Sequence, residues 1–299
     1  MKLSIITINY NSSENTIKLL ESLRNQTDKD FEIIVVDNNS DDVEQLMDYR
    51  TQETNIIYIK NRENTGFAGG CNKGIEEALK KGSEWIILLN NDVWVESDFI
   101  ASLKPILASK KGILGLPIDE GGETISCGGI IRWLRPTLSH GHGIINSGAQ
   151  VGSDNNNMKH RYAIGGGMCI CDSVFKKIGY LDENYFLYFE DADFSLKAQK
   201  FGITFYFPDK PVIHHSVSAS TKKLGSPMLL RYHYRNALYF NLKNGPWYIK
   251  LLVWPWSWLN FSKQIFKIII KRESEASKAI LLGIIDFYLG RFGKIVSSI

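Results

Sequence analysis

Over its first hundred residues the chain repeatedly changes hydrophobic period, and that alternation most restricts what it can fold into. "LSIITIN" (3–9), "FEIIVVD" (31–37), "NIIYIK" (55–60) and "EWIILLN" (84–90) are short, almost continuously apolar runs rich in β-branched residues. Such runs read as strands buried on both faces. Between them lie stretches that read as helices: 14–25 with Ile17, Leu20 and Leu23, a short polar piece near 41–50, then 67–81, and 97–109 after the last strand. This repetition predicts an α/β, Rossmann-like, mostly parallel sheet with right-handed crossovers and flanking helices.

Each of these strands hands over to polar residues: "NYNS" (9–12), "DNNSDD" (37–42), "NRENTG" (61–66) and "NND" (90–92). Turns favour the same residue types. In an open α/β sheet, however, ligands bind beyond the carboxyl ends of the strands, and here every strand end contributes. A polar pocket is expected, with a nucleotide as its natural occupant. Asp37 can accept from a base or ribose donor, and Asn9 can hold a pyrimidine edge. "ENTGFAGGCNKG" (63–74) joins an Asn, close-approach glycines and a helix start that favours phosphate. Neither GxGxxG nor GxxxxGK[ST] occurs, which argues against a dehydrogenase or a P-loop enzyme.

Asp92 supplies a carboxylate just past the fourth strand. One carboxylate plus diphosphate oxygens commonly hold Mg²⁺ or Mn²⁺, and His214 or His215 at the end of "VIHH" could add an imidazole, which suits Mn²⁺ better. "HGH" (140–142) reads more simply as a glycine-rich loop than as a second histidine pair. "FEDADF" (189–194) packs Glu190, Asp191 and Asp193 between two phenylalanines. A helix start explains acids there through the helix dipole. Perturbed carboxylates also mark reactive sites, so both readings stand on these residues alone.

In this order and spacing, "SIITINYNS", "IIVVDNNSDD", "NTGFAGGCNKGI", "ILLNNDV", the segment 165–202 and "VIHH" resemble the inverting glycosyltransferases of family 2, in their rhamnosyltransferase-like branch. The resemblance covers residues 3 to about 220 and implies a GT-A fold. It implies donor-nucleotide contacts from Thr7, Asn9, Tyr10, Asp37, Asn64, Gly66 and Asn91. "NND" stands where the family carries its DxD metal motif, with Asp92 as the last acid and Asn90 replacing the first. His214 best matches the metal-ligating histidine of some relatives. The ED motif makes Asp191 the general base, with Glu190, Gly166 and Tyr188 on the acceptor. The implied activity is transfer of a sugar from dTDP-rhamnose or a UDP-hexose to a saccharide or lipid-linked saccharide, with Mn²⁺ or Mg²⁺, in surface polysaccharide synthesis. A sugar-phosphate nucleotidyltransferase is the alternative enzyme, but "NYNSSEN" lacks the glycine-rich, basic loop it needs. A non-catalytic nucleotide- or sugar-binding protein is the other alternative.

With 299 residues the chain has room for a catalytic domain over 1–225, divided near 110 into donor and acceptor halves, and a helical region over 226–299. A net charge of +3 without a basic stripe argues against nucleic acid. The four cysteines form no CxxC pair, as in a reducing compartment, and the apolar residues around Cys169 and Cys171 predict buried thiols. A strand beginning at residue 3, with no signal peptide ahead of it, gives a cytoplasmic expectation. Charge is uneven: residues 1–60 hold six Lys/Arg and eleven Asp/Glu, whereas 240–299 hold nine and three, with four of the seven tryptophans. Residues 244–272 mix Trp, aliphatics and Lys. They suit the surface of an anionic membrane, a cap on the catalytic domain, or an oligomer contact.

Overall fold

The structure, a computed structural model, describes residues 1–51, 56–119, 121, 125–142, 161–215, 226–272 and 274–296. The donor half follows the expected alternation: β1 (Leu3–Asn9), α1 (Ser13–Arg24), β2 (Glu32–Asp37), α2 (Glu44–Thr51), β3 (Ile56–Lys60), α3 (Gly66–Lys80) and β4 (Trp85–Leu89). A short β5 (Val93–Val95), which the sequence reading did not separate, precedes α4 (Phe99–Ser109). Next come β6 (Ile113–Gly115), β7 (Pro117–Asp119), β8 (Ile125–Ile130), β9 (Ser139–His142), β10 (Arg161–Tyr162) and β11 (Gly167–Cys171). Then follow α5 (Asp172–Ile178), a 3₁₀ turn (Glu183–Tyr185), α6 (Glu190–Lys200), β12 (Phe205–Tyr206), β13 (Ile213–His215), α7 (Pro227–Asn244), α8 (Trp247–Ile269) and α9 (Ser274–Tyr288). The polar stretch 153–160 and the side chains of the "HGH" run lie outside the described residues.

The main sheet runs β12-β6-β11-β4-β1-β2-β3. Strands β4, β1, β2 and β3 are parallel, and their apolar residues, such as Ile5, Ile34 and Ile87, are buried in one large core. Register aligns the strand ends: Asn9 lies opposite Asp37, and Asp37 opposite Lys60. The polar turns therefore meet along one edge, as expected for an open α/β sheet.

A second sheet, β10-β8-β7-β13-β5 with β9 on β8, carries the two histidines. The run 162–171 is divided between the sheets. Tyr162 pairs with β8, whereas Met168 to Ile170 pair antiparallel with both β4 and β6. The glycines between allow the change. A Cβ on Gly166 would stand 2.5 Å from the Asn90 side-chain amide, so any larger residue there would displace Asn90.

The C-terminal helices are not a loose appendage. Ala237 and Phe240 of α7 share a buried cluster with Tyr185, Phe189 and Leu196 of the acceptor half. Arg231 clamps Asp286 across α7 and α9 with bonds of 2.6 and 3.1 Å. On its other side α7 joins Val253 of α8 and Ile284 of α9 through Leu238.

Candidate active site

The donor edge is a web of side-chain amides. The Asn9 amide donates to Asp37 (2.9 Å), Ser40 (3.0 Å) and Ser13 (3.2 Å), and its oxygen accepts from Thr16 at 2.7 Å. Asn9 is buried with its capacity spent on the protein, so the geometry gives it the task of aiming Asp37 rather than touching a base. Asp37 also accepts from the Ser40 backbone N–H at 3.1 Å. Thr7 is buried in mid-strand, and its hydroxyl has no hydrogen-bond partner. Tyr10, just past β1, is half exposed.

The turn before α3 is equally specified. Asn64 accepts from the Gly66 N–H at 2.8 Å, and Asn38 donates to the Gly66 carbonyl at 2.8 Å. Asn61 and Thr65 converge on the Asn38 oxygen. Gly66 adopts φ +75° with the Phe186 carbonyl 2.2 Å from where a Cβ would be, and Phe67 N–H donates to that carbonyl at 2.7 Å. The first two N–H donors of α3, those of Gly66 and Phe67, thus hold the Asn64 turn and the Phe186 loop.

Asn91 donates to Thr16 at 3.0 Å and joins β4 to α1. Asp92 meets His215, not His214, at 3.3 Å. Alternation along β13 sends neighbouring side chains to opposite faces. His214 instead stacks on Trp94 with centroids 4.2 Å apart and lies 3.2 Å from Asp119. Of the two candidate histidines, His215 is therefore the one that lies beside Asp92, and His214 is turned away from it. Among the described residues no third His, Cys, Asp or Glu joins Asp92 and His215 to complete a protein-only metal cage. One carboxylate and one imidazole fit a divalent cation whose other ligands come from diphosphate oxygens, with Mn²⁺ better matched to the imidazole.

Glycines connect this end of the site to the acidic helix. Gly165 N–H donates to Asp191 at 3.0 Å, and a Cβ at Gly165 would crowd both Phe67 and Asp191. Gly166, expected at the acceptor, abuts Asn90 and accepts from its N–H at 3.3 Å. The second oxygen contact of Asp191 is its neighbour Ala192 N–H at 2.7 Å. Two backbone N–H donors, one from the Gly165 loop and one from the first turn of α6, reach the Asp191 carboxyl. "FEDADF" is thus both a helix start and a converging part of the site.

Its three acids have separate surroundings. Glu190 is buried with one carboxyl oxygen lacking a partner. Burial first, and the adjacent Asp191 second, push its carboxyl well above the ordinary glutamate range. Burial and the same two acids raise the Cys71 thiol and the Tyr162 phenol. Asp193 faces away, accepting from Tyr185 (3.1 Å), Lys243 (2.8 Å) and Asn244 (2.6 Å), which ties α6 to α7.

Helix α7 also holds the loop that precedes the acids. Phe186, Tyr188 and Phe189 have φ of 64°, 69° and 76°, a region non-glycine residues avoid. The Asn236 amide donates to the carbonyls of Tyr185 (2.9 Å), Leu187 (2.7 Å) and Tyr188 (3.2 Å). Buried Arg235 adds bonds to Tyr185 (3.1 Å) and to Gly293 (2.8 Å), its pKa lowered by burial to about 10. His233 stacks on Tyr188 at 4.1 Å, and burial lowers its pKa to about 4. Sequence reasoning missed Arg235 and Asn236, because nothing in "RYHYRNALYF" separates them from the wet side of a helix.

Parallel β1–β4 under helices, antiparallel β11 beside β4, and carboxylates gathered at the strand ends define a GT-A fold. The family profile "Glycosyl transferase family 2" matches residues 4–167, more than half of the chain, and the chain belongs to that family. It is 29% identical over 208 residues to the low-salt glycan biosynthesis hexosyltransferase Agl10 of Haloferax volcanii, covering 66% of this chain and 62% of that protein. It is 25% identical over 251 residues to the dTDP-rhamnosyl transferase RfbF of Shigella flexneri, covering 80% and 79%. These relatives agree with the rhamnosyltransferase-like branch. Among solved structures, S. aureus TarS 1–349 in complex with UDP matches with a TM-score of 0.55 at 16% identity, over 97% of this chain and 92% of that one. The mannosyltransferase PcManGT of Pyrobaculum calidifontis, in complex with GDP-Man and Mn²⁺, gives 0.54 at 13% identity over 97% and 87%. At these identities the likeness is one of fold.

Proposed function

We propose that the protein is an inverting glycosyltransferase of glycan biosynthesis. It moves a sugar from a nucleoside-diphosphate sugar, dTDP-rhamnose or a UDP-hexose, to a hydroxyl of a saccharide or lipid-linked saccharide acceptor. The observation that carries this reading is Asp191, held by Gly165 at the glycine run that also abuts Asn90 beside the Asp92–His215 pair. The activities of the Haloferax and Shigella relatives support the reaction class. Surface polysaccharide is the product class that fits such an acceptor.

Asp37 and the Asn38–Gly66 turn bind and orient the nucleoside end of the donor. Asp92 and His215 would hold a divalent cation, Mn²⁺ or Mg²⁺, whose positive charge supports departure of the diphosphate. Asp191 takes the proton of the acceptor hydroxyl as its oxygen bonds to the anomeric carbon. The bond from that carbon to the diphosphate oxygen breaks on the opposite face, and nucleoside diphosphate leaves with the electron pair. Glu190, pushed toward its protonated form, supplies a hydrogen-bond donor beside the acceptor rather than a second base. Tyr188 offers a ring face to the sugar.

Asp191→Asn tests the assignment. It preserves shape but accepts no proton at neutral pH, so turnover should fall by roughly 10²–10⁴ while donor affinity and Tm stay close to wild type. Asp193→Asn, which loosens the bonds to Lys243 and Asn244, should instead lower Tm and spare most turnover. Near-wild-type transfer by Asp191→Asn overturns the assignment.

A further inference from the structure

The two faces of helix α8 are sorted unusually. Its inner face mixes the buried apolar residues Ile249 and Val253 with buried polar ones, Ser257 bonded to the Tyr288 hydroxyl at 2.6 Å and Gln264 accepting from Ser277 at 2.9 Å. Its outer face is apolar. Trp247, Leu251, Trp254, Trp258, Ile265 and Ile269 recur every three or four residues, interrupted only at Ser262, and are between 40% and 73% exposed. Leu259 (71%) and Phe266 (63%) widen the stripe. A helix on a globular protein ordinarily turns its apolar side inward, and a contiguous exposed apolar patch marks an interaction surface.

Charge identifies the occupant. From 247 to 272 the chain carries Lys250, Lys263, Lys267, Lys271 and Arg272, and no acid. At 3.6 residues per turn, Lys250 and Lys263 fall on opposite borders of the stripe. A second copy is a poor partner: a two-fold contact sets the same patch against itself, so like charges would meet, and protein interfaces are depleted in lysine. Anionic lipid answers both features. Tryptophan rings settle at the headgroup level, and lysines bordering an apolar face reach back to anionic headgroups. No described helix is long and apolar enough to cross a membrane, so this one lies along it. Trp258 also lines an apolar cleft of about 220 Å³ between α8 and α9, walled by Phe261, Ile284, Ile285 and Leu289, which suits acyl-chain carbons.

We infer that the outer face of α8 docks the protein on the headgroup–acyl boundary of an anionic bilayer. Helix α7, packed on α8 through Leu238 and Val253, is also the helix that holds the 185–188 carbonyls. Docking therefore ties the acceptor side to the membrane surface, a consequence that rests on the lipid-linked acceptor proposed above; the docking itself does not.

Flotation of the full chain decides it, using vesicles rich in phosphatidylglycerol against vesicles of phosphatidylcholine. The wild type should float with the anionic vesicles, and much less at high salt. Leu251→Glu with Trp258→Glu should cut flotation roughly tenfold or more while donor hydrolysis and Tm hold. Lys250→Glu with Lys263→Glu should remove the preference for phosphatidylglycerol. A wild-type chain that stays at the bottom of the gradient at low salt overturns the docking, as does undiminished flotation of the Leu251/Trp258 variant. So does a wild-type dimer that this variant dissolves without any flotation. Flotation intact with no transfer to any acceptor upholds the docking and overturns the transfer reading instead.

Discussion

Asn236→Ala isolates what α7 does for catalysis. The amide has two hydrogens for three carbonyls, those of Tyr185, Leu187 and Tyr188. Tyr185 keeps its bond from Arg235, so Leu187 and Tyr188 are the carbonyls left without this donor. Two lost bonds are worth ~2 kcal/mol net, and each buried carbonyl left bare costs a further ~1–3 kcal/mol. Against this stands the strain of Phe186, Tyr188 and Phe189 at positive φ, ~1–2 kcal/mol each. Strain and lost bonding are of similar size, so the loop recovers energy by relaxing once Asn236 is gone. The net destabilisation should therefore be only ~2–3 kcal/mol, or roughly 3–5 °C in Tm for a chain of 299 residues. Function should suffer more, because relaxation re-aims the start of α6 and with it Asp191. A displacement of about 1 Å can cost roughly 10²-fold. Calorimetric donor binding should stay within about twofold of wild type, since Asp37 and Asn64 are untouched, while diphosphate release in the presence of acceptor falls by roughly 10–100-fold. Asn236→Asp keeps the acceptor for Arg235 but turns oxygen toward the carbonyls, and should be at least as slow. If Asn236→Ala turns over near the wild-type rate below its Tm, the loop is not held by this amide in any way that matters for the reaction.

Two further outcomes follow from the geometry. His215→Ala should weaken the gain in nucleoside-diphosphate affinity that Mn²⁺ confers in calorimetric titration, as should Asp92→Ala, whereas His214→Ala should leave that gain intact and instead lower Tm through the lost Trp94 stack. Equal metal effects in both histidine variants would refute the facing of β13. The second outcome concerns pH. The folded chain holds the Glu190 proton more tightly than the unfolded chain, whose glutamate sits near 4.5. That stabilisation is complete below 4.5 and is lost as pH rises through the folded-state value. Glu190→Gln, which cannot ionise, should match wild-type Tm near about pH 4 and exceed it near about pH 8; a constant difference would show that Glu190 does not titrate with folding.

The donor half was readable because its signals are local. Ile5, Ile34 and Ile87 sit in runs apolar enough to declare strands buried on both faces, and each run ends in turn residues that share the carboxyl edge. Individual roles were less readable, because they depend on where a side chain points. His214 and His215 are adjacent letters, and only the pairing of β13 with β5 and β7 decides which meets Asp92. Asn9 looked like a ligand for a base until Asp37, Ser40 and Thr16, distant in sequence, claimed its amide.

The C-terminal helices defeated pattern reading for a deeper reason: there polar residues are buried alongside the apolar core, and large apolar ones are exposed. Arg235 and Asn236 are buried because a loop with three residues at positive φ leaves backbone carbonyls that need donors where water is absent. Trp247 and Leu251 are exposed although α7 and α9 offer an apolar surface, because Val253 of α8 already packs there with Leu238 and Ile284. Periodicity detects that α7 and α8 are helices but not which face is inward, since the rule that assigns the face presumes water on the outside. A polar interior facing the reactive loop and an apolar exterior facing away are what a helical unit requires if it works between a transfer site and a lipid surface.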